Sequence, residues 1–234
     1  MQAKQSSGGR YLKNIVYGGI DGIITTFAVI AGGAGAALSS SILLVLGLAN
    51  VLADGFSMGF GDMVSSRAEN EVHAKDQQRL SYMLDHDLEQ ASKEIKAHLK
   101  VKGLSRTDVE TMTRIILKKK PLALQALMER QNGRGGGIND RIVIKSLYTF
   151  SSFILFGSIP LLTYVVAMIV PEIRPLSFVI NCVLTACTLF MLGAVKTKFT
   201  GRNWFLSGLE MLGMGGVSAV IAFVVGNSFS WLIQ

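Results

Sequence analysis

Charge is scarce in this chain. Only 17% of its 234 residues are Asp, Glu, Lys or Arg, half are hydrophobic, and the mean hydropathy is +0.42. A soluble domain carries about a quarter charged residues, so the shortage argues against an ordinary soluble protein and for a compact membrane bundle. Cysteine is nearly absent as well. Cys182 and Cys187 lie in one apolar run at a spacing that places them on different helix faces and suits neither a disulfide framework nor a zinc site, so both read as small core residues. The histidines, His73, His86 and His98, all fall in one polar middle segment. That leaves none for a Ser-His or metal-His centre inside the membrane, and it disfavours a membrane hydrolase or any other enzyme of that kind. No phosphate-binding glycine loop is present, so nucleotide hydrolysis has no site. No secretory signal peptide is evident: the first ten residues are polar, and the glycine-rich apolar run after them lacks a convincing cleavage site and is expected to stay in the mature protein.

The charges that remain are segregated. Residues 65–145 hold 16 of the 23 basic and 11 of the 16 acidic side chains. The net charge of +7 therefore speaks of topology and not of nucleic acid. A helix needs about 20 apolar residues to cross a bilayer, and five stretches qualify: Ile15 to Ala37, Ser41 to Val64, Leu147 to Val170, Leu176 to Val195, and Trp204 to about Gly226. The first hairpin, GGAGAALSSS, is uncharged, and the connection PEIRP carries only Glu172 and Arg174. Lys4, Arg10 and Lys13 at the start, the middle segment, and Lys196, Lys198 and Arg202 all fall on one side of a five-span topology. By the positive-inside rule that side is cytosolic, with the N-terminus on it and the C-terminus across the membrane.

The expected architecture is an all-α integral membrane protein of five transmembrane helices, with a three-helix cytosolic insert between the second and third. Residues 1–64 form the tail and first two spans, 65–141 the insert, and 142–234 the last three spans. The first insert helix continues the second span from about Ser65 to Lys102 and stops at Gly103. Ser105 with Asp108 forms a capping box that opens the second. Lys120-Pro121 begins the third, which ends at Asn132-Gly133 and leads into the flexible joint GRGGG. Lys118, Lys119 and Lys120 are the densest basic cluster and could touch anionic lipid, though such a run is usually a solvated helix end.

Four acids interrupt the spans: Asp21, Asp54, Asp62 and Glu210. An Asp at a helix centre costs about 2.5–3.5 kcal/mol, while each Leu, Ile, Val or Phe returns about 0.3–0.6. The first span contains eight such apolar residues, so its insertion is marginal if Asp21 faces lipid. Asp21 should face a bundle interior or a wet cavity, where an ionisable group is functional by default; the alternative is a backbone cap or an interfacial position. On the second span Asn50, Asp54, Met58 and Asp62 recur every four residues along one helix face. Hard oxygen mixed with soft thioether suits a divalent transition metal better than magnesium or calcium. Met58 could instead fill a packing gap, and Asp62 is most simply a carboxylate at the cytosolic boundary. Gly18 with Gly22, and Gly55 with Gly59, have the small-xxx-small spacing of close helix packing and are expected to bring the first two spans together around Asp21 and Met58.

The segments YGGIDGIITTFAVIAGG and GLANVLADGFSMGFGDMVSSRAENE, with the DG start of the first span and the GxSMGxG motif of the second, resemble the vacuolar iron transporter family over nearly the whole chain. That resemblance implies a homodimer of five-span subunits that exports cytosolic Fe(II), often Mn(II) too, into a vacuole or out of the cytosol in exchange for protons. The membrane would then be vacuolar, that of another acidic organelle, or a bacterial inner membrane. It implies metal as cargo and no tightly bound cofactor. Asp21 and Met58 match the family's metal-pathway positions. Where the family commonly has a glutamate eight residues before that methionine this chain has Asn50, with Asp54 one turn on as a substitute. Asp62 and Glu210 are candidate proton relays or metal-entrance residues, Glu210 being equally readable as an interfacial carboxylate beside Trp204. In the insert, Glu94 and Met128 match ligand positions, whereas Leu80, Met83, Ala91 and Gln131 stand where other ligands occur. Glu69 with His73, and Glu94 with His98, are one-turn pairs able to ligate a metal, though such pairs more often form a solvated face. The depleted ligand set leaves open a second class, a transport-inactive scaffold or metal-sensing regulator of the same fold.

Overall fold

The computed structural model describes residues 7–132 and 141–232. The tail residue Lys4 and the joint GRGGG at 133–137 lie outside them. Helices account for the described chain: α1 (Ser7–Gly35), α2 (Ser40–His86), α3 (Leu88–Val101), α4 (Arg106–Leu117), α5 (Lys120–Asn132), α6 (Ile142–Gly157), α7 (Ile159–Ile169), α8 (Ser177–Thr200) and α9 (Trp204–Ser228). Five helical stretches are long and apolar enough to cross a membrane: Tyr11–Gly35, Ser40–His86, Ile142–Ile169, Pro171–Lys198 and Trp204–Ser228. Helices suit that setting because every backbone polar group is satisfied within its own segment. Two compact units divide the chain, one of residues 1–63 and 143–234, the other Val64–Ile142.

In the first unit the third apolar stretch is two helices, not one. α6 ends at Gly157, Ser158 donates its hydroxyl to the carbonyl of Ile154 at 2.6 Å, and Pro160 sits in the first turn of α7. Proline has no N–H and crowds the preceding turn, so an even hydropathy profile conceals a break. The PEIRP connection is a short 3-10 helix, Pro171–Leu176. α8 stops at Gly201, whose φ of +66° lies in the left-handed region that glycine enters at no steric cost.

Small residues decide which helices touch. A Cβ on Gly18 would lie 2.5 Å from the carbonyl oxygen of Thr149, and one on Gly22 the same distance from that of Phe153. A Cβ on Gly55 would meet Ile154 Cδ1 at 2.8 Å, and one on Gly59 would meet Phe150 Cβ at 2.8 Å. All four partners are on α6. The two glycine pairs therefore do not close the first two spans onto each other as expected; each closes its span onto α6. At the far end of α1, a Cβ on Gly226 of α9 would overlap the carbonyl of Gly32. The bundle's outward faces are apolar, as at Leu52, Phe56, Val217 and Val220, which suits lipid. Cys187 is among the exposed residues while Cys182 is half-buried, so only Cys182 has the expected core character.

The second unit has its own core of Leu80, Leu84, Ala91, Ile95, Leu99, Val109, Ala123 and Leu127. The expected single helix from Ser65 to Lys102 is interrupted at Asp87, which leaves helical geometry and accepts a hydrogen bond from the Gln90 backbone N–H at 2.9 Å, capping α3. Asp is a strong N-cap because its carboxylate satisfies an otherwise orphaned N–H. Ser105 and Asp108 exchange hydrogen bonds at the start of α4: the Asp108 N–H donates to Ser105 Oγ at 3.2 Å and the Ser105 hydroxyl to Asp108 Oδ2 at 2.6 Å. α5 starts at Lys120 with Pro121 inside its first turn.

Candidate metal-binding site

The face of α2 that carries Asn50, Asp54, Met58 and Asp62 is half-buried along its whole length. It runs between the buried row of Val51, Gly55 and Gly59 and the exposed row of Ala53, Ser57 and Gly61. Asp21, half-buried on α1, lies within electrostatic reach of Asp54. Neither carboxylate has a cationic side chain in ion-pair contact among the described residues. Two unpaired carboxylates in one apolar bundle repel each other, and the repulsion is strong where water is scarce. A divalent cation between them would relieve it. Met58 lies one turn beyond Asp54 on the same face and Asn50 one turn before it. The Asn50 side-chain nitrogen is buried without a hydrogen-bond partner. The cluster can thus offer two carboxylate oxygens, an amide and a thioether, a mixed donor set for a transition metal.

Asp62 stands apart from that pair. Its Oδ2 accepts from Asn14 Nδ2 at 3.2 Å, from the Ser146 hydroxyl at 3.3 Å and from the Thr149 hydroxyl at 3.4 Å, while Asn14 also donates to Thr149 Oγ1 at 2.9 Å. This polar knot joins α1, α2 and α6. Asn14, Ser146 and Thr149 were not foreseen, although the sequence carries a signal for them. Ser146, Thr149 and Ser152 repeat every three residues along α6 and are all buried, the pattern of a small polar packing stripe. Glu210, on α9, is exposed and lies 3.8 Å from Lys196 on α8, which fits the interfacial reading better than a buried relay.

In the second unit the expected ligands are dispersed. Glu94 is ion-paired with Arg130, which also donates to the Glu94 carbonyl at 2.8 Å. His98 turns to Glu129 at 3.7 Å and not to Glu94. Glu129 accepts from Lys102 at 3.2 Å and from Gln125 at 3.3 Å, and the Lys102 ammonium holds its carboxyl below the ordinary carboxylate range. Met128, like Met83, packs on the core. Glu69 is exposed and His73 half-buried. Among the described residues no three His, Cys, Asp or Glu side chains gather as a metal site. Titration of the whole chain with Mn(II) is accordingly expected to find the same number of bound ions in the Glu94→Gln variant as in the native chain. Loss of an ion in that variant would return a ligand role to Glu94.

The profile of the VIT family matches residues 12–227. The chain is 36% identical over 222 residues to the vacuolar iron transporter of Toxoplasma gondii, covering 93% of this chain and 74% of that protein. It is 28% identical over 221 residues to the vacuolar iron transporter of Plasmodium berghei, covering 92% and 81%. With vacuolar iron transporter 1 of Arabidopsis thaliana it shares 28% identity over 225 residues, covering 96% and 88%.

Proposed function

The chain belongs to the VIT family, and we propose from that membership that it carries Fe(II), with Mn(II) as a second cargo, out of the cytosol into a vacuole or an equivalent acidic space by exchange for protons. Its relatives are transporters, so it is not an enzyme. The observation that carries the reading is the Asp21–Asp54 pair, two carboxylates without cationic partners among the described residues of a membrane bundle, with Met58 one turn beyond Asp54.

The chemistry follows from the donor set. A carboxylate binds metal only after losing its proton, so loading Fe(II) releases protons and reprotonation from the acidic side expels the metal. Two carboxylates exchanging two protons for one divalent ion move no net charge. Each pH unit of gradient supplies about 1.4 kcal/mol per proton, so a two-unit gradient and two protons supply about 5.5 kcal/mol, enough for roughly 10⁴-fold accumulation. In this reading the N-terminus and the Val64–Ile142 unit face the cytosol, the latter being the helical insert, and two copies of the chain assemble as a homodimer. The basic flanks of the spans support that orientation.

Proteoliposomes with an acidic interior test the coupling. Fe(II) uptake is expected to require the gradient and to fall to the level of protein-free vesicles when an ionophore collapses it, with Mn(II) competing. Uptake that survives collapse would sink proton exchange. Binding of Fe(II) and Mn(II) with no uptake under any gradient would favour the sensing scaffold, a reading the Glu94–Arg130 pairing also suits.

A further inference from the structure

The geometry points to a binding site for an anionic phospholipid in the cleft between α1 and α8. This cleft, of about 430 Å³, is lined by Leu12, Lys13, Val16, Tyr17 and Ile20 from α1 and by Lys196 and Thr200 from α8. Lys13 lies at the beginning of the span Tyr11–Gly35 and Lys196 at the end of the span Pro171–Lys198. Since the two line one cleft, its mouth sits where the bundle meets the headgroup layer. Leu12, Val16 and Ile20 continue from there toward the hydrocarbon as an apolar wall, while the exposed Tyr17 ring belongs to the amphipathic side chains that favour this depth.

Charge selects the occupant. Lys13 is exposed and has no acidic partner among the described residues, and Lys196 has only Glu210, 3.8 Å away and itself half-exposed. Two ammonium groups against one carboxylate leave the mouth positive. A phosphate at that level, with its acyl chains along Val16 and Ile20, satisfies both parts of the cleft. A zwitterionic headgroup brings its own cation to the same place and gains less. Basic pockets between spans recognise anionic headgroups in this way, and nothing here depends on whether metal is moved.

The test uses the whole chain in a mild non-ionic detergent, with retained lipid read by native mass spectrometry. Phosphatidylglycerol is expected to be retained over phosphatidylcholine of the same chains, with retention falling as salt rises. The Lys13→Gln/Lys196→Gln double variant should lose roughly 25-fold in phosphatidylglycerol affinity, about fivefold per lysine, while keeping its phosphatidylcholine binding and thermal midpoint. Lys118→Gln/Lys119→Gln, away from the cleft, should change neither. If the double variant misfolds, the salt dependence of the native chain still decides. Equal retention of the two lipids, salt-independent retention, or unchanged affinity in a folded double variant would overturn the assignment. So would stabilisation by inorganic phosphate alone matching that by the lipid, which would mark a free-anion site. Efficient disulfide dimers through a cysteine at position 17, in a Cys182→Ser/Cys187→Ser background, would show instead that a second copy covers the cleft.

Discussion

Asp21→Asn is expected to reduce gradient-driven Fe(II) uptake at least about 100-fold, the loss that follows from removing one charged partner of a poorly solvated electrostatic cluster. The amide keeps the volume of the carboxylate, so α1 packs as before. What disappears is one of the two charges that draw a cation between α1 and α2, together with one exchangeable proton. Asp54→Asn should act in the same direction because its carboxylate lies within electrostatic reach of Asp21. Asp62→Asn should cost far less, since Asp62 already has three neutral donors on one oxygen, and Glu210→Gln less still, being exposed. Uptake assays on proteoliposomes of matched protein content, with thermal midpoints as a folding check, give the ranking. A fully active, folded Asp21→Asn chain would remove this residue from the pathway.

The second large effect concerns packing. Gly22→Ala places a methyl carbon 2.5 Å from the carbonyl oxygen of Phe153, a fixed backbone atom that cannot rotate away. α1 and α6 must separate locally, and overpacking of this kind costs about 1–3 kcal/mol. For a chain of this size the midpoint should drop by roughly 2–12 °C. Because Gly22 adjoins Asp21, the shift also moves the carboxylate relative to Asp54, so uptake should fall along with stability. Gly213→Ala is the control: no atom lies within 4 Å of the added carbon, and a glycine-to-alanine change inside a helix gains about 0.5–1 kcal/mol when there is room. Equal midpoints for the two variants would mean that α1 does not rest on α6 at Gly22.

Much of the fold was legible because its main determinants are local. Whether a stretch can span a bilayer depends on its own length and hydropathy, and all five spans emerge with ends shifted by only a few residues, except where α2 continues to His86. The cap at Ser105 was legible for the same reason, its partners being three residues apart. Two breaks were missed although the residues responsible were in view. Pro160 sits in an apolar run to which hydropathy is blind, and Asp87 lies in a charged helical stretch where only the bond from the Gln90 N–H to its carboxylate marks the break.

The sequence by itself determined the spans, the separation of charge from them, and the few acids that break the apolar pattern, because each is a property of a short segment in a given solvent. Only the tertiary structure decided which helix each glycine pair closes upon, that Asp21 comes within electrostatic reach of Asp54, that Asp62 joins α1 to α6, and that Arg130 occupies Glu94. The physical reason is that these pairings join positions far apart in the chain. Periodicity fixes which face of a helix a residue occupies, whereas the neighbour that meets that face is chosen by complementary shape and charge across the whole bundle.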